Sequence, residues 1–181
     1  AVIGSVDSMP DGTAPGAKGR VLWIPYEGVS ILPGRLAETG LPDDGIIILN
    51  EIADNGAAIP RLSARGKERT ICDEIEACKR SDDSIILVVI DSLSSGTDGV
   101  DENAKAISEP MTALCSLAER LNISILLLHH PRKTSADDDE VHRVNMDSIR
   151  GHSSISGVPR SIIALDMPAV GKRRMRVVKN S

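Results

Sequence analysis

Two hydrophobic patterns alternate along the chain. Short runs are almost wholly apolar: RVLWIPY at 20–26, IIIL at 46–49, IILVVI at 85–90 and ISILLL at 123–128. Runs of that length, bounded by Gly, Asp and Asn, predict strands of a sheet covered on both faces. Between them the period lengthens. Ile71, Ile75 and Cys78 recur at i, i+4 and i+7 with charges between, which predicts a helix over 62–80 that ends at Ser81, Asp82 and Asp83. Ile107, Met111, Leu114, Ala118 and Leu121 share a face of a second helix, whose Pro110 must sit in the first turn or kink it. A short helix is expected near 30–39.

The ends of the chain read differently. Residues 1–19 are rich in Gly, Pro, Ala and Asp and read as a linker feeding the first strand. Residues 94–103 read as a polar loop, and 132–149, polar and aperiodic, as a mobile loop. Two strands over 161–167 and 175–178, joined through 168–171, predict a hairpin. The whole, 1–181, reads as a single α/β domain: a mainly parallel sheet flanked by helices, with a C-terminal antiparallel hairpin.

Composition narrows the options. Apolar residues make up 41% of the 181, enough for an ordinary core, but the only aromatics are Trp23 and Tyr26. That argues against a base-stacking platform for single-stranded nucleic acid. The net charge of -5 supplies no global basic field, although Lys172, Arg173, Arg174, Arg176 and Lys179 cluster near the end and Asp137, Asp138, Asp139 and Glu140 form an acidic run. Three cysteines without metal-knuckle spacing suggest reduced thiols and a cytoplasmic setting. No apolar run is long enough to span a bilayer.

Ligands of parallel α/β sheets sit at the carboxyl ends of the strands. The residues there are Glu27, Asp91 and the pair His129 and His130. An apolar strand ending in Asp and then Ser suits a carboxylate facing a nucleotide-bound Mg²⁺; it equally suits a cap for the next turn. A carboxylate such as Glu27 beside a γ-phosphate can orient or deprotonate the attacking water. Neighbours in an extended segment point to opposite faces, so His129 and His130 do not readily chelate one metal, while one of them can face the site. Residues 12–19 imitate a phosphate-binding loop but fail the G-x-x-x-x-G-K-[ST] pattern. Ala17 replaces the second glycine, Gly19 replaces the Ser/Thr, and a strand follows where a helix must open.

The series GRVLWIPYE, IILVVIDSL, ISILLLHHPRK, DSIRGHSSISGVPRSIIALD and RMRVVKN, in that order, resembles the RecA-like ATPases of the RepA/DnaB-helicase-related group, with the AAA-type, RepA-like members nearest. The resemblance runs from about Pro10 to the end. It implies a RecA-like core whose cofactors are Mg²⁺ and ATP, with ATP hydrolysis coupled to DNA in replication or recombination. It assigns Glu27 as catalytic glutamate, Asp91 as the magnesium-facing Walker B aspartate and His130, or less readily His129, as the polar sensor. Arg150, Gly151 and Ser153 resemble a channel-facing DNA loop; Arg160 resembles a basic residue of that motif with a structural or inter-subunit role, and Lys179 a late-strand basic residue that can reach a neighbouring subunit's nucleotide. The family's first strand and P-loop would precede Ala1. The expectation is therefore a truncated core unable to hydrolyse ATP alone, with an exposed sheet edge that favours a dimer or ring.

Two other readings stay open. One is a non-catalytic oligomerising or binding module that keeps only the fold. The other is a metal-dependent hydrolase built on Asp91, His129, His130 and His152. Residues 150–156 also read as a plain Gly/Ser loop, and Lys179 as an edge-strand lysine that discourages aggregation.

Overall fold

A computed structural model describes residues 16, 18–40, 43–49, 59–62, 69–97, 101, 103–131 and 144–181. The linker and P-loop-like stretch up to residue 15, the acidic run, and 132–143 of the expected loop lie outside the described residues. Two compact units divide the chain, one comprising 1–98 and 116–129, the other 99–115 and 130–181.

The first unit is a parallel four-stranded sheet in the order β2-β1-β3-β4. Strand β1 is Arg20–Pro25, β2 Ile46–Ile48, β3 Ile85–Asp91 and β4 Ser124–Leu127. β3 pairs with β1 from Arg20↔Ile85 to Pro25↔Asp91, and with β4 from Leu87↔Ser124 to Ile90↔Leu127. Leu22, Ile24, Ile85, Val88 and Ile90 of the two central strands are fully buried. The outer strands depart from the expectation of complete burial. β2 is half-buried throughout, and Ser124 and Leu126 of β4 are exposed. Each has one strand neighbour among the described residues, so only one of its sides is enclosed by the sheet.

Helix α1 (Leu32–Glu38) follows β1. Helix α2 (Ile71–Ser81) starts nine residues after Leu62, where the expected helix began; residues 63–68 of that expectation lie outside the described residues. The reason is local. Thr70 caps it, accepting from Asp73 N–H, while the Asp73 carboxylate accepts from Thr70 N–H. This reciprocal capping box defines a helix start more sharply than periodicity does. Ile71 and Ile75 are buried as the pattern required. The expected polar loop after Asp91 instead begins with a helical turn, α3 (Leu93–Gly96), in which Leu93 and Gly96 are buried.

Arg20 fastens the starting ends of these strands. Its Nε donates to the Asp44 carbonyl ahead of β2, 2.6 Å, and its Nη1 to the Asp82 carboxylate ahead of β3, 2.6 Å. The Ser84 hydroxyl and the Arg20 guanidinium both hold the Asp82 carboxyl below its ordinary pKa.

In the second unit, the 14-residue helix α4 (Ser108–Leu121) begins and then crosses into the first unit. Pro110 lies in its first turn, where a missing N–H costs nothing. Residues 146–148 form a 3₁₀ turn capped by Asn145, so the described end of the predicted loop is ordered by its own hydrogen bonds. Helix α5 (Ser153–Gly157) precedes the hairpin of β5 (Ser161–Ala169) and β6 (Lys172–Asn180), which turns through Gly171 at φ 72°. The hairpin is a separate two-stranded sheet, and its strands are longer than the sequence suggested. One face carries the buried Asp166, whose carboxylate accepts from Arg174 at 3.0 and 2.8 Å and from Val144 N–H at 3.2 Å. The other presents Ile163, Leu165, Met175 and Val177, each more than half exposed.

Candidate functional site

The carboxyl ends of β1, β3 and β4 are adjacent because the strands are parallel and in register. Hydrogen bonds continue past the strands. Tyr26 N–H donates to Asp91 C=O at 2.6 Å, Leu128 N–H to Ile90 C=O at 3.0 Å and Leu93 N–H to Leu128 C=O at 2.9 Å. These bonds set Glu27, Asp91 and His129 at the ends of three neighbouring strands. Gly28, at φ 66°, then turns the chain: its carbonyl accepts from Ile31 and Leu32 N–H at the start of α1.

A row of hydroxyls crosses this rim. Ser92 Oγ lies 3.2 Å from Ser94 Oγ and 3.4 Å from Ser95 Oγ, and Ser95 Oγ donates to Glu27 Oε2 at 3.0 Å. Residues 59–62 lie alongside. Tyr26 Oη donates to Pro60 C=O at 2.6 Å, Arg61 Nη1 to Ser95 C=O at 2.8 Å and Leu62 N–H to Gly96 C=O at 2.8 Å. The Arg61 guanidinium stands 5.7 Å from the centre of the Tyr26 ring. Burial raises the Tyr26 phenol well above its ordinary pKa, against the opposing effect of Arg61. Gly96 permits this docking, since a Cβ there would stand 2.7 Å from both Leu62 Cδ1 and the Tyr26 ring.

The remaining sequence-selected residues lie in the second unit. His130 is exposed and directly precedes the Pro131↔Ile149 bridge. Arg150 and Ser153 are exposed, and Gly151 has φ 102°. His152 caps α5: its Nδ1 accepts from Ser154 N–H at 3.2 Å and lies 3.3 Å from Ser108 Oγ. Arg160 is exposed, and its carbonyl accepts from Ser181 N–H. Lys179 Nζ donates to the carbonyls of Ser156, Gly157 and Pro159 at 2.7–3.1 Å, which satisfies the open end of α5.

Glu27, Asp91 and His129 thus share a unit, whereas His130, Arg150, Gly151, Ser153, Arg160 and Lys179 belong to the other. Sequence reasoning passed over Ser95 and Arg61. Ser95 lay in what read as a polar loop, and Arg61 is 34 residues from its carbonyl acceptor with no periodicity around it. Among the described residues, no three His, Cys, Asp or Glu side chains form a group suited to caging a metal. A lone Asp91 carboxylate at a strand end, next to the Ser92 hydroxyl, fits an ion that keeps waters and phosphate oxygens as its other ligands, as Mg²⁺ does.

With that geometry in place, comparison with known proteins defines the class. A family model described as an AAA domain matches residues 2–136, most of the chain, and the chain belongs to that family. Among solved structures, the KaiC-like protein PH0186 of Pyrococcus horikoshii OT3 superposes with a TM-score of 0.57 and 16% identity, over 90% of this chain and 65% of its own. The RadB recombinase does so with a TM-score of 0.52 and 16% identity, over 90% of this chain and 70% of its own. The chain therefore spans about two thirds of these structures. At such identity they show a shared fold alone, a RecA-like α/β core. No curated protein matches the sequence.

Proposed function

We propose that this chain is the strand-end half of a nucleotide site in a RecA-like ATPase that works on DNA in replication or recombination. The observation that carries the reading is the adjacency of Glu27 and Asp91 at the ends of paired strands, tied by the Tyr26–Asp91 backbone bond. Asp91 would hold the Mg²⁺ of a bound ATP, and that ion would neutralise charge on the phosphates. Glu27 takes the role of orienting the attacking water and receiving its proton. His129, following β4 on the same rim, is a polar contact for the γ-phosphate. His130 is the alternative sensor. Arg150, Gly151 and Ser153 form the DNA-facing loop of this reading, supported by the exposure of Arg150 and Ser153. Arg160, exposed, is the better candidate for reaching a neighbouring subunit. Lys179 would have to release three carbonyls to do so.

The 181 residues contain no G-x-x-x-x-G-K-[ST] run, so nucleotide binding by them alone rests on the rim. The test is titration of a fluorescent ATP analogue with Mg²⁺ into the chain, and into the chain joined to a P-loop segment. The joined protein should bind, and Asp91→Ala should weaken binding by about tenfold or more. Glu27→Gln should keep binding but lower turnover by about 10²–10⁴. If the joined protein binds no ATP, this reading is wrong.

One observation favours a second reading, an oligomerising module without catalysis: the apolar face of Ile163, Leu165, Met175 and Val177. It predicts a stable dimer or ring in light scattering, with no ATP turnover in the joined protein. The three free thiols, all partly buried, suit a reducing compartment such as the cytoplasm. No helix among the described residues is long and apolar enough to cross a membrane.

A further inference from the structure

We propose that Ser95 is a positioning residue for Glu27, and that Arg61 in turn holds Ser95 in place. This rests on the reading of Glu27 given above. Glu27 lies in a bend beyond the end of β1 and is exposed, so packing does not fix its carboxylate. The hydroxyl of Ser95 does, by donating to Oε2 across a sequence separation of 68 residues. A carboxylate is acceptor-only, and one oxygen engaged in this way orients the other.

Ser95 is itself held on two sides. Its carbonyl accepts from Arg61, whose guanidinium stands over the Tyr26 ring, and its hydroxyl accepts from Ser92. The arrangement has a local cost. Ser92 occupies the N-cap position of α3, yet its side chain makes no capping bond. Caps of this kind contribute about 1 kcal/mol, so the hydroxyl row is not what the short helix by itself would select. Its hydroxyls run instead toward Glu27. A planar guanidinium is suited to this strap because it can stand over the Tyr26 ring, 5.7 Å from its centre, while donating in its own plane.

The test reads the carboxyl ¹³C resonance of Glu27 against pH in the full chain, without nucleotide. Among the described residues, Asp91, Arg61 and His129 are the other ionisable side chains at this rim. In Ser95→Ala the carboxylate loses a donor to its charged form, so its titration midpoint should rise by about half a pH unit. Ser95→Thr, which keeps the hydroxyl, should restore it. Arg61→Lys keeps the positive charge but loses the planar donors, and should move the midpoint the same way by less. A purely structural role for Ser95 would lower the melting temperature and leave the midpoint in place. An unmoved midpoint in Ser95→Ala, or in Arg61→Lys should the alanine variant not fold, overturns the proposal. Failure of the catalytic reading shows separately, as unchanged ATP turnover in Glu27→Gln of the P-loop-joined protein.

Discussion

Strand β3 and the β5–β6 hairpin are both rich in branched apolar residues, yet they spend them differently. β3 is bonded on both sides, and Ile85, Val88, Val89 and Ile90 are buried. In the hairpin each strand has one partner among the described residues, and Ile163, Leu165, Met175 and Val177 stay more than half exposed. What orders the hairpin is polar: the Asp166 carboxylate gripped by Arg174, and Lys179 closing α5. An apolar run therefore states a demand for cover; the number of neighbours decides whether the demand is met.

The sharpest way to break this contrast is a pair of truncations read by urea denaturation. Ile90→Ala should cost about 3 kcal/mol, the usual toll of emptying a filled core site. Leu165→Ala should change stability by no more than about 0.5 kcal/mol, as at ordinary surface positions. Equal losses would mean that the hairpin face is covered in solution.

Glycine substitutions give a smaller contrast. Gly96→Ala drives a methyl into Leu62 and the Tyr26 ring and should cost about 1–3 kcal/mol, measured by thermal melting. Gly157→Ala, in α5, meets nothing within 4 Å and should be neutral or slightly stabilising.

The smallest effect is acid sensitivity of the hairpin. Hydrogen bonds from Arg174, then Val144 N–H, hold the Asp166 carboxyl below the usual carboxylate range. A depressed folded-state value stabilises the fold above the unfolded pKa of about 3.9, and that contribution disappears as pH falls through the folded value. Amide exchange at Ala164, taken relative to the intrinsic rate at each pH, should therefore quicken below about pH 4. In Asp166→Asn it should be faster at neutral pH and lose this acid limb. Asp82 has the same sign in the first unit, so the readout must be confined to hairpin amides.

The parallel sheet was legible because its strands are short apolar runs with helical periods between them; the RecA-like core came from the family resemblance that those segments carry. Element boundaries were legible only where local chemistry marks them, as the Thr70–Asp73 capping box marks the start of α2. Burial of the outer strands was not legible, since IIIL and ISILLL look like central strands and nothing in them says how many neighbours they gain. At the rim, Glu27 and Asp91 could be picked because each terminates an apolar run. Ser95 and Arg61 could not, since their importance lies in contacts 68 and 34 residues away.

Arg20 gives the sheet a direction. One guanidinium clasps the lead-ins to β2 and β3 while riding on β1, so three strands share a rivet at their beginnings. The far tips of β1 and β3 meet through the Tyr26–Asp91 backbone bond and a chain of hydroxyls. The shared clasp fixes the stagger of the three strands at their starts, so which residues end level with one another at the opposite rim is set far from that rim.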